Sequence, residues 1–202
     1  MTGQPHQDKR SPRMRFISVP QIIEFLPDNQ AYITQAAEML LAGFKEHWPR
    51  AWPDMAAALA EVRESFGPGR INRIAVAGDR LLGWVGAMRQ YSGYAWELHP
   101  LVVNRDYWRQ GIGRALVADL ENQVRDRGGI TIYLGTDDED GMTTLSNIDL
   151  YPDIPGHIAN LRNLRGHPFE FYQKLGYVVV GVIPDANGWG KPDILMARRI
   201  TG

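Results

Sequence analysis

The chain contains no cysteine, and that absence removes disulfides, thiolate metal sites and a cysteine nucleophile together. It also lacks any apolar run approaching the ~20 residues of a membrane-spanning helix. The opening "MTGQPHQDKRSPRMR" carries charge with no signal-like apolar stretch behind it, so a cytoplasmic, unexported protein is expected. Charge of one sign is missing too. With 22 Lys plus Arg against 23 Asp plus Glu, there is no broad cationic field to bind nucleic acid in general. The 5 histidines are scattered and no HExxH spacing appears, so no metal is expected.

What is present is a chain of 202 residues, 44% of them hydrophobic, which suffices for one sizeable core. Residues 1–15 are polar, contain proline and show no periodicity; they are expected to form a disordered tail before a single domain spanning 16–202. Helical spacing starts at Ile33 and runs through Ala36, Ala37, Leu40, Leu41 and Phe44 to Trp48, with Asp28 and Asn29 as cap candidates. Pro53 and Asp54 open a second helix, which the "GPG" at 67–69 stops. "RIAVAGDRLLGWVGAMRQY" reads as two strands about a Gly78-Asp79 turn, and "YAWELHPLVV" as a third. A helix over 113–127 and the strand "ITIYL" at 130–134 then imply a parallel crossover. Residues 135–157 are acidic and rich in Pro and Gly, and are expected as a long loop. A short helix, "PFEFYQKLG", and two strands, "YVVVGVI" and "DILMARRI", complete an α/β fold: a mixed central sheet with an antiparallel meander and flanking helices.

In "WRQGIGR" a strand ends in a glycine turn that opens a helix. Such a turn aims unpaired N–H groups and the positive end of the helix dipole at one spot, where phosphate is the natural guest. Gly111 and Gly113 let the backbone approach a pyrophosphate, while Arg109 and Arg114 add charge. The same glycines also suit a tight connection that binds nothing. A dinucleotide fingerprint wants a third glycine where Leu116 stands, and the P-loop pattern is absent.

At these residues the chain resembles the Gcn5-related N-acetyltransferases (GNAT superfamily), whose signature is [Q/R]-x-x-G-x-[G/A]. Trp108 occupies the Gln or Arg position of that signature. "FEFYQKLGY" at 169–177 resembles the family's F-Y-x-x-x-G-[FY] segment. "WELHPLVV", "RGGITIYLGTDDED", "NLRNLRGHPFEFYQKLGY" and "GVIPDANGWGKPDILMA" further resemble the enterococcal-type aminoglycoside 6'-N-acetyltransferases, over about Trp48 to Ile200. The resemblance implies the GNAT fold, acetyl-CoA as cosubstrate, acetyl transfer to the 6'-amine of an aminoglycoside, and a cytoplasmic homodimer. It also implies that Gln110, Gly111 and Gly113 cradle the pyrophosphate, that the Leu101 N–H receives the thioester oxyanion, and that Val103 and Asn163 meet the pantetheine arm.

Acetyl transfer needs a base for the ammonium, a donor for the oxyanion and an acid for the leaving thiolate. Glu97 is the candidate base; a carboxylate in so apolar a strand is costly without a purpose. His99 lies two residues on and shares its strand face, either as a structural histidine or as a proton shuttle. Pro100 interrupts pairing beside Leu101. Tyr172, where the family places its thiol-protonating residue, is the candidate acid, or else core with Phe169 and Phe171. A polycationic acceptor calls for an acidic cleft, and "TDDED" at 136–140 supplies one. Asp137 and Asp138 are the expected contacts, Asp140, Asp149 and Asp153 weaker ones, and Trp48 a wall. Another amine acceptor such as a polyamine or protein terminus, and an acyl-coenzyme A sensor without turnover, stay open beside this reading.

Overall fold

The computed structural model describes residues 20–46, 48 and 51–201, so the tail expected at 1–15 lies outside the described residues. Seven strands form one sheet: β1 (Gln21–Glu24), β2 (Arg70–Ala77), β3 (Arg80–Gln90), β4 (Ala95–Val103), β5 (Thr131–Asp137), β6 (Val178–Ile183) and β7 (Asp193–Arg199). Their order is β1-β2-β3-β4-β5-β7-β6, and β4–β5 is the parallel pair in an otherwise antiparallel sheet. The meander and the parallel crossover are as expected. The short β1 was not; its four residues, QIIE, are too few to show a period.

Helices α1 (Gln30–Phe44) and α2 (Met55–Glu64) cover one face of the sheet, and α3 (Ile112–Asp126) covers the other. The Asn29 carboxamide accepts from Tyr32 N–H and the Asp54 carboxylate from Ala57 N–H, caps worth about 1 kcal/mol each. The α1 stripe buries Ile33, Ala36, Ala37 and Leu40 against Ile74, Val76 and Trp84. Full burial of a side chain such as Leu40 contributes roughly 1.5–3 kcal/mol. The α3 stripe of Leu116, Val117, Leu120 and Val124 lies over β2, β3 and β4, in one core with Ala75, Leu82, Trp96 and Leu98. Helix α1 stops at Phe44, a turn short of Trp48, whose N–H still bonds Phe44 O.

The segment expected as a long loop is shorter and more built. Strand β5 runs on through Asp137, which puts the first of the acidic residues on the sheet. Beyond it Met142, Leu145 and Leu150 are buried, and a 3-10 turn leads into α4 (Ile154–Ala159). Helix α5 (Phe169–Lys174) follows, with Phe169 and Tyr172 on its buried side.

Candidate active site

Strands β4 and β5 pair only through Ala95–Thr131, Trp96–Ile132 and Glu97–Tyr133, and then separate. Opposite the separation the β3–β4 register shifts between Val85 and Ala87, beside a cis His99–Pro100 peptide. Beyond it Asn104 N–H bonds Leu82 O, so Val102 and Asn104 face β3. By alternation Leu101 and Val103 turn their N–H and C=O toward the edge that β5 has left. The interruption expected at Pro100 is therefore real, and it leaves main-chain groups of β4 available along a cleft.

At one end of this edge Gly111 opens α3 with φ +84°, a conformation that glycine adopts without strain. The first intrahelical bond is Ala115 N–H to Gly111 O, and no side chain caps the end. The N–H groups of Ile112, Gly113 and Arg114 thus point outward, where the helix dipole adds positive potential. Arg109, Gln110 and Arg114 are exposed around them, with Gln110 Nε2 on Asp106 O. Trp108, half-exposed, donates its indole N–H to Val103 O at 2.7 Å, so that carbonyl of the open edge is already paired.

Glu97 stands where the strands part. It is half-buried, and its Oε2 accepts from Tyr133 OH at 3.2 Å and Gln90 Nε2 at 3.3 Å. Burial and the Glu97 charge push the Tyr133 phenol up to about 12, so it stays a donor. His99 is exposed and pairs with Glu61 of α2 at 3.5 Å, close to Trp52. The His99 hydrogen bond holds the Glu61 carboxyl below its ordinary value, against the opposing pull of burial. His99 is thus not enclosed in the core, and its partner set is separate from that of Glu97.

The acidic residues divide. Asp137 lies on the same β5 face as Tyr133; its Oδ1 accepts from Asn187 Nδ2 at 2.5 Å and its C=O from Trp48 Nε1 at 3.3 Å, so Trp48 does border this region. Asp138, expected as an acceptor contact, is instead 0% exposed. Its two oxygens accept from Met142 N–H and Thr143 N–H, both at 2.7 Å. Burial works to raise its pKa, but bonds from Ser146, Met142 and Thr143 and the nearby His167 together hold it below the usual value. Side chains alternate along a strand, so one residue's shift turned the neighbour of Asp137 inward. Exposed Asp153 caps α4 through Gly156 N–H, Asp149 accepts from Tyr151 N–H, and Asp140 is exposed with its C=O taking the Arg165 guanidinium. Asn163, expected at the cofactor, is turned back on its own loop: Nδ2 bonds His167 O and Oδ1 accepts from His167 N–H.

Tyr172 is buried between Phe171 and Tyr177, and burial pushes its phenol up, so it is protonated at neutral pH. Burial among these rings is what the core reading expects. Asp193 was missed by the sequence reading. It faces Asp137 across β5–β7, on the Tyr133 side of the sheet, and a Cβ on Gly135 would lie 2.3 Å from its Oδ2. Only glycine at 135 leaves that carboxylate room. Its Oδ1 is enclosed without a hydrogen-bond partner among the described residues. Burial, then the charges of Asp137 and Glu97, push it up to about 6. A lone aspartate opening a strand after Pro192 gives no sign of the two carboxylates brought beside it.

The geometry of a split parallel pair, an open β4 edge and an uncapped glycine turn defines a class: residues 33–144, more than half of the chain, match the acetyltransferase (GNAT) family, and the chain belongs to it. Within that family the chain is similar to an aminoglycoside 6'-N-acetyltransferase complexed with coenzyme A, at 47% identity over 90% of this chain and 98% of that one, with a TM-score of 0.82. The aminoglycoside 6'-N-acetyltransferase from Enterococcus faecium is 47% identical over the same shares, with a TM-score of 0.80. Aminoglycoside 6'-acetyltransferase type Ii is 40% identical over 90% and 98%, with a TM-score of 0.68. No curated protein sequence matches the chain. Among the described residues no helix is long and apolar enough to cross a membrane, and no group of three or more His, Asp or Glu could hold a metal ion.

Proposed function

We propose that the protein transfers the acetyl group of acetyl-CoA to the 6'-amine of aminoglycosides, in the cytoplasm and as a homodimer, with residues 16–202 as one catalytic domain. The observation that carries this reading is the placing of Glu97 at the fork of β4 and β5, between an open main-chain edge and an acidic face. Relatives at 47% identity that are aminoglycoside 6'-N-acetyltransferases, one of them holding coenzyme A, support both the acceptor and the cosubstrate.

In this reading the pyrophosphate rests on the N–H groups of Gly111 to Arg114, with Arg109 and Arg114 adding charge and Gln110 lining the turn. The pantetheine arm runs along Leu101 and Val103. The substrate amine gives its proton to Glu97, directly or through a water, and its nitrogen attacks the thioester carbon. The Leu101 N–H takes the hydrogen bond of the developing oxyanion. As the intermediate collapses, the carbon–sulfur bond breaks and the thiolate takes the Tyr172 proton. Asp137 and Asp193 attract further ammonium groups of the acceptor, while His99 with Glu61 offers a second route for the proton. Trp48 borders the acceptor side. Asp153 sits on a neighbouring loop, and Asp138 and Asn163 serve structure.

The test is release of free thiol from acetyl-CoA with neomycin, which has a 6'-amine, and paromomycin, which has a 6'-hydroxyl there. Turnover with neomycin alone is expected. No turnover with either would rule out the aminoglycoside acceptor and direct the search to polyamines and peptide termini.

A further inference from the structure

We infer that Trp108 is a positioning residue that sets the register between the phosphate turn and the open edge of β4, its indole N–H serving where the family signature has a Gln or Arg side chain. The inference rests on the proposed use of acetyl-CoA. Between Val103 and Gly111 the chain makes one 3-10 turn, Arg105–Tyr107, anchored by the buried Tyr107, whose hydroxyl accepts from Arg80 Nη1 at 2.7 Å. The residues that carry the turn from there to α3 are exposed, and Arg109 has φ +61°. Trp108 is where they are tied back to β4. Its Nε1 reaches Val103 O at 2.7 Å, and the Arg105 guanidinium stands 5.3 Å from the centre of its ring. Arg105 in turn holds Glu46, just past α1, at 2.9 Å. A continuous line of contacts thus runs from the end of α1 through Arg105 and Trp108 to the edge of β4.

The consequence follows from the covalent structure of coenzyme A. Its pantetheine arm and its pyrophosphate are joined at a set separation, so one molecule satisfies both the β4 edge and the α3 amides only when those two surfaces keep a matching register. The Trp108–Val103 bond fixes that register before the ligand arrives. It also occupies one lone pair of the Val103 C=O, so the Leu101 C=O is the less encumbered acceptor for an arm N–H.

Two surface variants separate the bond from the ring. Trp108→Phe keeps an aromatic ring without the donor, and Trp108→Gln keeps a donor without the ring. Each is assayed with acetyl-CoA and with S-acetylpantetheine, which has no phosphates. In Trp108→Phe the KM for acetyl-CoA is expected to rise about fivefold to tenfold, the scale of one hydrogen bond, with kcat within about twofold. The KM for S-acetylpantetheine should not move, and Trp108→Gln should return the acetyl-CoA KM to near the wild-type value. An unchanged acetyl-CoA KM in Trp108→Phe, an equal rise for both donors, or a Trp108→Gln as impaired as Trp108→Phe would each overturn the inference. Calorimetry of wild-type protein with coenzyme A distinguishes the levels of failure. Absence of binding removes the proposed cosubstrate and this inference together, whereas tight binding with unaffected variants removes only the inference.

Discussion

The two ends of the cleft are built from different material. At the proposed cofactor end the groups on offer are main-chain: the N–H groups that open α3 and the edge of β4 at Leu101 and Val103. At the proposed acceptor end they are side chains on one sheet face, Glu97, Asp137 and Asp193, drawn from three strands. A main-chain site tolerates side-chain exchange, whereas an acidic face stores repulsion that a cation relieves. Asp193 shows the cost of burial and then of repulsion in its raised pKa, and Gly111 shows the economy of the other end in needing no capping side chain.

The sharpest way to break this contrast is Glu97→Gln, which keeps shape and removes the proposed base. A loss of about 10²–10³-fold in kcat/KM is expected in the thiol-release assay, with coenzyme A affinity retained. A parallel loss of coenzyme A binding would show that the two ends are not independent. Next in size is Asp138→Ala, which strands two buried N–H groups. It should cost about 2–3 kcal/mol of stability, read as a lower denaturation midpoint. A purely catalytic effect would instead return Asp138 to the acceptor face.

Asp193→Asn should act through pH. The fold raises Asp193 to about 6 from an ordinary 3.8, so its contribution to stability is fully present below about pH 4 and is lost as pH rises through 6. At pH 7.5 the ionised carboxylate opposes folding, and Asp193→Asn should be the more stable by about 1 kcal/mol, a figure discounted for partial exposure. The gap should close by pH 4.5 in paired thermal melts, while the acceptor KM rises at neutral pH. A gap that does not change with pH would mean that neither burial nor the Asp137 and Glu97 charges raise Asp193. The smallest effect on activity is expected at the other end. Gly111→Ala meets no atom within 4 Å but must hold φ +84°, a left-handed conformation that costs a non-glycine residue about 1–2 kcal/mol. It should shift the acetyl-CoA KM severalfold and leave the acceptor KM alone.

Local pattern made the cofactor end legible, because turn chemistry and helix starts depend on neighbours in the chain. Gly111, Gly113 and the break at Pro100 could be read from their spacing. At the acceptor end Asp137 and Asp138 were adjacent and looked alike, and only the register of β5 decided which one faces the cleft. Asn163 shows the same limit: its amide was spent on His167 by the way one loop closes.

By itself the sequence determined the element order, the parallel crossover and the glycine turn, since each follows from periodicity and backbone chemistry within short windows. Only the tertiary structure decided that Asp193 joins Asp137, that Tyr133 and Gln90 hold Glu97, and that Trp108 closes Val103 O. Three of these contacts join strands and one joins a loop to a strand edge. Strand register and loop path are set by packing of the whole chain, which no local stretch contains.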